Sequence, residues 1–109
     1  SFANKIKKAK EAGYNVSLIF YYLDSEDLAI ERVDARVKEG GHNIPKDVII
    51  RRYYAGIRNL FQLYLPICDN WIIFNNSTLV PIFIAEGNGD ETININNKRI
   101  FEIIYEKSR

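Results

Sequence analysis

Phe2, Ile6 and Ala9 recur at i, i+4 and i+7 with lysines on the remaining faces, which predicts a helix over residues 2–12 stopped by Gly13. Residues 15–23 form a β-rich apolar run without clean alternation, the pattern of a strand buried on both faces. Ser25 is placed to cap a helix that runs to Lys38, and Glu26 and Asp27 occupy the first turn, where the helix dipole favours carboxylates. Leu28, Ala29, Val33 and Val37 are its expected inward residues, and Gly40-Gly41 its end. A second helix starts with Pro45 in or near its first turn. Val48, Ile49, Tyr53, Ile57, Leu60, Phe61 and Tyr64 lay an apolar stripe along about five turns of it, up to Leu65-Pro66. A short strand follows at 71–74 and a turn at 75–77. Segments 81–86 and 92–95 flank Gly87-Asn88-Gly89-Asp90, a hairpin signal. Asn96-Asn97 can cap a last helix over 98–107, with Ile100, Ile103 and Ile104 inward.

The order helix, strand, helix, helix, strand, hairpin, helix follows βαβ logic, so the expected class is α/β with parallel strands joined by helical crossovers. Two parallel strands alone do not make a sheet with helices on both sides. The pattern therefore reads as part of a larger unit, a single partial domain over residues 1–109.

Composition narrows the function classes. Fifteen Lys and Arg against fourteen Asp and Glu leave a net charge of +1, so a global polyanion-binding surface is not expected. Hydrophobic residues at 47% are too many for a disordered chain. The longest apolar stretch is far short of the ~20 residues of a membrane span. The early lysines are not followed by a small-residue cleavage site, so no signal peptide is expected and the location reads as cytoplasmic. One cysteine, Cys68, and one histidine, His42, leave neither an internal disulfide nor a zinc site.

Candidate chemistry concentrates between Asp34 and Asn59. Arg51 and Arg58 share one helix face, Arg52 and Asn59 a neighbouring one, and Gly56 leaves that face open. Two helices joined through two glycines, with arginines on both arms, can close over a polyanionic ligand, because guanidinium forks match phosphate oxygens. The bland alternative is a solvated basic face. His42 reads either as a phosphate contact or as a loop residue bonded to backbone, and Asn59 either as a ligand contact or as an interhelical post. Tyr53 and Tyr54 beside Arg51 and Arg52 have the composition of a nucleic-acid surface, but the apolar stripe already claims Tyr53. Gly87-Asn88-Gly89 lacks a following Lys-Ser/Thr and is not a phosphate loop.

Taken together, Arg36-Val37-x-x-Gly40-Gly41-His42-x-Ile44-Pro45, Ile50-x-Arg52-Tyr53, Asn59-Leu60, Leu65-Pro66-x-x-Asp69-x-Trp71 and Asn76-Ser77 resemble the zeta-toxin-like ATPase family, bacterial P-loop kinases often described as predicted ABC-type ATPases. The resemblance spans about residues 1–95 and lies in the spacing of the whole set. It implies the C-terminal part of a P-loop NTPase: a lid over residues 32–60, the last strands and hairpin over 70–96, and a final helix over 98–107. It implies an ATP- and Mg2+-dependent phosphotransferase whose Walker A loop, magnesium-binding Ser/Thr and catalytic aspartate lie in the other half. This chain alone would then hold no catalytic residue and bind no nucleotide tightly. Arg36 and Arg52, with His42 next, are the implied contacts to ATP phosphates, and Arg51, Arg58 and Asn59 the implied lid support. The implied partners are a small phosphoryl acceptor, an antitoxin, and a second copy through exposed sheet edges. Asn75 departs from the Asp-Asn-Ser usual in the family and removes one carboxylate. The alternatives are a stand-alone α/β interaction module derived from this family and, more weakly, a small nucleic-acid-binding domain using Arg51, Arg52, Tyr54 and Arg58.

Overall fold

Short polar side chains set where the helices begin. In the computed structural model, which describes residues 1–109, Ser1 Oγ accepts from Asn4 N at 3.3 Å, Ser25 Oγ from Leu28 N at 3.2 Å, and Asn97 Oδ1 from Ile100 N at 3.1 Å. These caps open α1 (Phe2–Glu11), α2 (Glu26–Lys38) and α4 (Lys98–Lys107). Pro45 stands just before α3 (Lys46–Asn59) in an extended conformation and offers no side-chain cap. The strands are β1 (Ser17–Tyr22), β2 (Asn70–Asn75), β3 (Ile82–Asn88) and β4 (Glu91–Ile95).

The apolar stripe of α3 continues past its end, but with changed geometry. Leu60–Tyr64 is a π-helical turn and Leu65–Ile67 a 3-10 turn, with Leu65 N bonded to Leu60 O. A π turn brings residues five apart onto nearly the same face. Leu60 and Leu65 thus both enter the core, while Phe61 and Tyr64 are only half-buried.

The sheet order is β1-β2-β3-β4. Only β1 and β2 are parallel, with Leu18 opposite Trp71 and Phe20 opposite Ile73. Antiparallel β3 and β4 complete the sheet. The α/β class expected from the pattern holds, with a mixed rather than a parallel sheet.

One face of the sheet carries the core. Tyr22, Trp71, Ile73, Ile84 and Ala85 pack with Ile57, Leu60, Leu65 and Ile104 from the helical side, and Leu18 and Phe20 lie against them. The opposite face is bare: Ile19 and Tyr21 are 55% and 53% exposed. They stand opposite Ile72 and Phe74, and the Tyr21 and Phe74 rings stack at 5.9 Å. The expectation that β1 is buried on both faces is therefore corrected. Its even-numbered residues pack into the core while Ile19 and Tyr21 stay largely exposed, so an unbroken apolar run is covered mainly on one side.

At the far end of the sheet, Trp71 decides two neighbours. Its indole lies over Gly87, where a Cβ would come within 2.5 Å of the ring and also meet Glu91 O, and its Nε1 donates to Gly89 O at 3.0 Å. Phe101 of α4 lies parallel to the indole at 6.5 Å. In α4, Ile104 is fully buried with Ile100 and Phe101 beside it, whereas Ile103 is exposed. That corrects the inward set: residues 100 and 104 are one turn apart, and 103 points round the helix away from them. No helix is long and apolar enough to cross a membrane.

Candidate functional site

The α2–α3 helical hairpin stands over the C-terminal end of β1, where open α/β sheets commonly hold ligands. Its turn is built by the glycine pair. Gly40 has φ +99°, its N–H donates to Val37 O at 3.0 Å, and Gly41 N–H donates to Arg36 O at 2.7 Å. This is a Schellman closure, and a Cβ on Gly41 would stand 2.8 Å from Arg36 O. The backbone at Arg36 is thereby fixed to the turn it precedes.

Three side-chain ties fix the hairpin, two to the strand ends and one between its own helices. Arg32 Nη2 donates to Asn76 O at 2.9 Å and Ser77 O at 3.3 Å. The Tyr54 hydroxyl donates to Glu26 Oε2 at 3.0 Å, joining α3 to the start of α2. The Tyr53 hydroxyl donates to Leu23 O at 2.6 Å. The Glu26 carboxyl is held below its ordinary value by the N–H groups at its own helix start, and then by Tyr54. Tyr54 is pushed up in return, chiefly by that hydrogen bond. Burial pushes the Tyr53 phenol far above the ordinary range, with neighbouring Tyr22 adding to it, so Tyr53 stays a protonated donor.

Between the two helices and the end of β1 lies a cleft of about 340 Å³. That volume falls within the range of roughly 300–1,000 Å³ seen for small-molecule sites. Phe20, Tyr22, Val33, Ile44, Ile49 and Ile57 contribute apolar lining. Arg32, Arg36 and Arg52 supply its charge, and no Asp or Glu lines it. Neither Arg36 nor Arg52 is in an ion pair; the three salt bridges of the chain are Lys10–Asp69, Lys98–Glu102 and Arg109–Glu106. Two unpaired guanidiniums and a third anchored to backbone carbonyls leave an uncompensated positive site beside apolar walls.

Beyond the cleft, α4 closes on the same strand end. Lys107 Nζ donates to Tyr22 Oη at 2.7 Å, Asp24 O at 2.8 Å and Tyr53 Oη at 2.9 Å, and lies 5.0 and 5.3 Å from the two ring centroids. All three ammonium protons are used. The ends of β1 and β2 are joined by a second knot: Asn75 Nδ2 donates to Asp24 Oδ1 at 2.8 Å, and Asn75 Oδ1 accepts from Ser77 N at 3.0 Å and Ser77 Oγ at 2.5 Å. An aspartate at position 75 would set a second carboxylate against Asp24 in place of this hydrogen bond.

Of the residues singled out in the sequence, Arg36 and Arg52 come together at the cleft from opposite arms. His42 is exposed in the connecting loop and does not line the cleft. Arg51 and Arg58 are exposed outside it, and Asn59 is half-buried, also outside it. Asp69 is structural: its Oδ2 accepts from Val16 N at 2.7 Å and its Oδ1 lies 3.6 Å from Lys10. Cys68 is buried, and burial followed by the Asp69 carboxylate pushes its thiol up, which disfavours a nucleophilic thiolate. No group of three or more His, Cys, Asp or Glu side chains is placed to hold a metal ion. Sequence reasoning missed Arg32, although its i, i+4 spacing from Arg36 on one helix face was available. It also missed Lys107, for which a lysine ending an amphipathic helix carries no signal.

No known protein family's profile matches the chain, and no solved structure matches it. Over 53 residues the chain is 38% identical to an uncharacterized protein of Haemophilus influenzae, a stretch amounting to 49% of this chain and 38% of that protein. The chain thus aligns with well under half the length of this relative.

Proposed function

We propose that the chain is the lid-bearing C-terminal part of an ATP-dependent, zeta-toxin-like phosphotransferase, with Arg36 and Arg52 as ligands of phosphate. The observation that carries this reading is the cleft between α2 and α3, where arginines from both arms converge without a carboxylate to neutralise them. Guanidinium charge from both arms beside an apolar wall is suited to charge that builds up during phosphoryl transfer. Arg32, tied to the turn after β2, anchors α2, and Arg36, one turn later, lines the same cleft as Arg52. ATP and Mg2+ fit only in part. The arginines suit polyphosphate oxygens, but the metal would need ligands and a Walker A loop from the other half of the domain. The bare sheet face at Ile19 and Tyr21 and the unpaired edge of β1 supply a place for that half. His42, exposed in the hairpin loop, reaches phosphate only if the loop closes over it.

The same bare face favours a second reading, a stand-alone α/β module that docks a partner there without catalysis. Two measurements separate the two. The kinase reading requires a strand followed by Gly-x-x-x-x-Gly-Lys-Ser/Thr, in the same polypeptide or a partner chain. It also expects the 109-residue chain alone to show no tight Mg-ATP binding by isothermal titration. Micromolar affinity would sink the view that the other half is essential.

A further inference from the structure

The cleft is more apolar than a phosphate site requires. Ten of its fourteen lining residues are hydrophobic, yet its charged members are all arginines. A bare polyphosphate would leave the half-buried Val33 and Ile44 of the cleft wall in contact with water. A neutral apolar ligand would leave Arg36 and Arg52 uncompensated. Only a ligand with both parts satisfies the whole surface. From this juxtaposition we infer that the cleft binds a phosphate monoester whose organic group is apolar, an aryl or short branched alkyl phosphate. The phosphate lies between Arg36 and Arg52, and the organic group lies against Ile44 and Val33.

This inference rests on the proposed phosphate role of the two arginines, and it names the class of phosphoryl acceptor: an alcohol or phenol with an apolar body. Charge complementarity selects the anionic product, because no acid lines the cleft. Its modest volume, about 340 Å³, selects a small organic group.

The test is a set of titrations of the 15N-labelled chain, followed by amide shifts at Gly41, Ile44 and Arg52, with phenyl phosphate, inorganic phosphate and phenol as probes. Phenyl phosphate is expected to bind at least about tenfold more tightly than either of the others. Arg36→Ala and Arg52→Ala, both at exposed positions, should each abolish its advantage over phenol. Ile44→Ser, in the half-buried loop, should abolish its advantage over inorganic phosphate, and Val33→Thr serves the same end should the loop variant not fold. Equal binding of phenyl and inorganic phosphate, still dependent on the arginines, would overturn this inference and leave the phosphate role standing. Equal binding of phenyl phosphate and phenol, indifferent to both arginine variants, would overturn the two together.

Discussion

Lys107→Ala removes a single ammonium that joins α4 to the end of β1 and to α3. The wild-type group makes three hydrogen bonds of 2.7–2.9 Å to Tyr22, Asp24 and Tyr53 and lies over two rings. Hydrogen bonds to charged groups each contribute about 1.5–3 kcal/mol net, and exposed cation–π contacts about 0.5–1 kcal/mol. These do not add here. The three acceptors share one donor group, and Asp24 O, at an exposed residue, can be reached by water once the lysine is gone. A loss of about 2–4 kcal/mol is the reasonable sum. For a chain of this length that corresponds to a fall in melting temperature of roughly 4 °C for each kcal/mol. Urea unfolding followed by the fluorescence of buried Trp71 gives the free energy, and far-ultraviolet circular dichroism gives the melting temperature. Lys107→Met, which keeps the apolar stem over the rings, should fall between wild type and alanine. The control is Lys98→Ala on the same helix, whose only ion pair is a 4.0 Å contact to Glu102 at the surface. It should change stability by less than about 0.5 kcal/mol. If Lys107→Ala changed it no more than Lys98→Ala does, the lysine would be a solvated surface residue, and the tie between α4 and the cleft would be refuted.

Two glycine substitutions should act in opposite directions. Gly87→Ala drives a methyl group into the Trp71 ring and should cost about 1–3 kcal/mol or more, while Gly56→Ala, in the interior of α3 with nothing within 4 Å of the new atom, should stabilise by about 0.5–1 kcal/mol. Both are read by urea unfolding, and equal effects would contradict the packing described at Trp71. The Glu26 pair gives a pH dependence. A carboxyl held below its ordinary 4.5 in the folded state stabilises the fold above that value, and the stabilisation is lost as pH falls through the lowered value. Tyr54→Phe removes one of the two hydrogen-bond causes, so the gap in stability between wild type and this variant should be present at pH 7 and close in acid. A gap that widened in acid would show that the hydroxyl is not bonded to the carboxylate.

Most of the element order was legible because the local signals were strong: Ser25 and Asn97 cap helices, Gly40-Gly41 close one, and Gly87–Asp90 lies at a hairpin. Three features were not. The π turn after Asn59 depends on Leu60 and Leu65 both finding the core, a tertiary demand that a fixed helical period does not express. The bare face of β1 was hidden because Ile19 and Tyr21 are as apolar as their buried neighbours; hydrophobicity along a strand does not say which side is covered. The antiparallel return of β3 beside β2 depends on the route of residues 76–81, which carry no pattern that fixes pairing. For the candidate site, the residue pattern offered arginines on both arms of a helix–glycine–glycine–helix unit, and the family resemblance singled out Arg36 and Arg52 among them. The apolar walls between them were not legible, because they come from β1, α2, the loop and α3 at once.

The central claim is that Arg36 and Arg52 act on phosphate from the two arms of one lid. Its most direct test is ATP-dependent transfer by this chain together with the proposed Walker A half, carrying Arg36→Ala, Arg52→Ala or, as a control outside the cleft, Arg51→Ala. The account predicts that Arg52→Ala loses most of the turnover, at least about tenfold, that Arg36→Ala is also impaired, and that Arg51→Ala stays within about twofold of wild type. Turnover within about twofold of wild type for both Arg36→Ala and Arg52→Ala would contradict it.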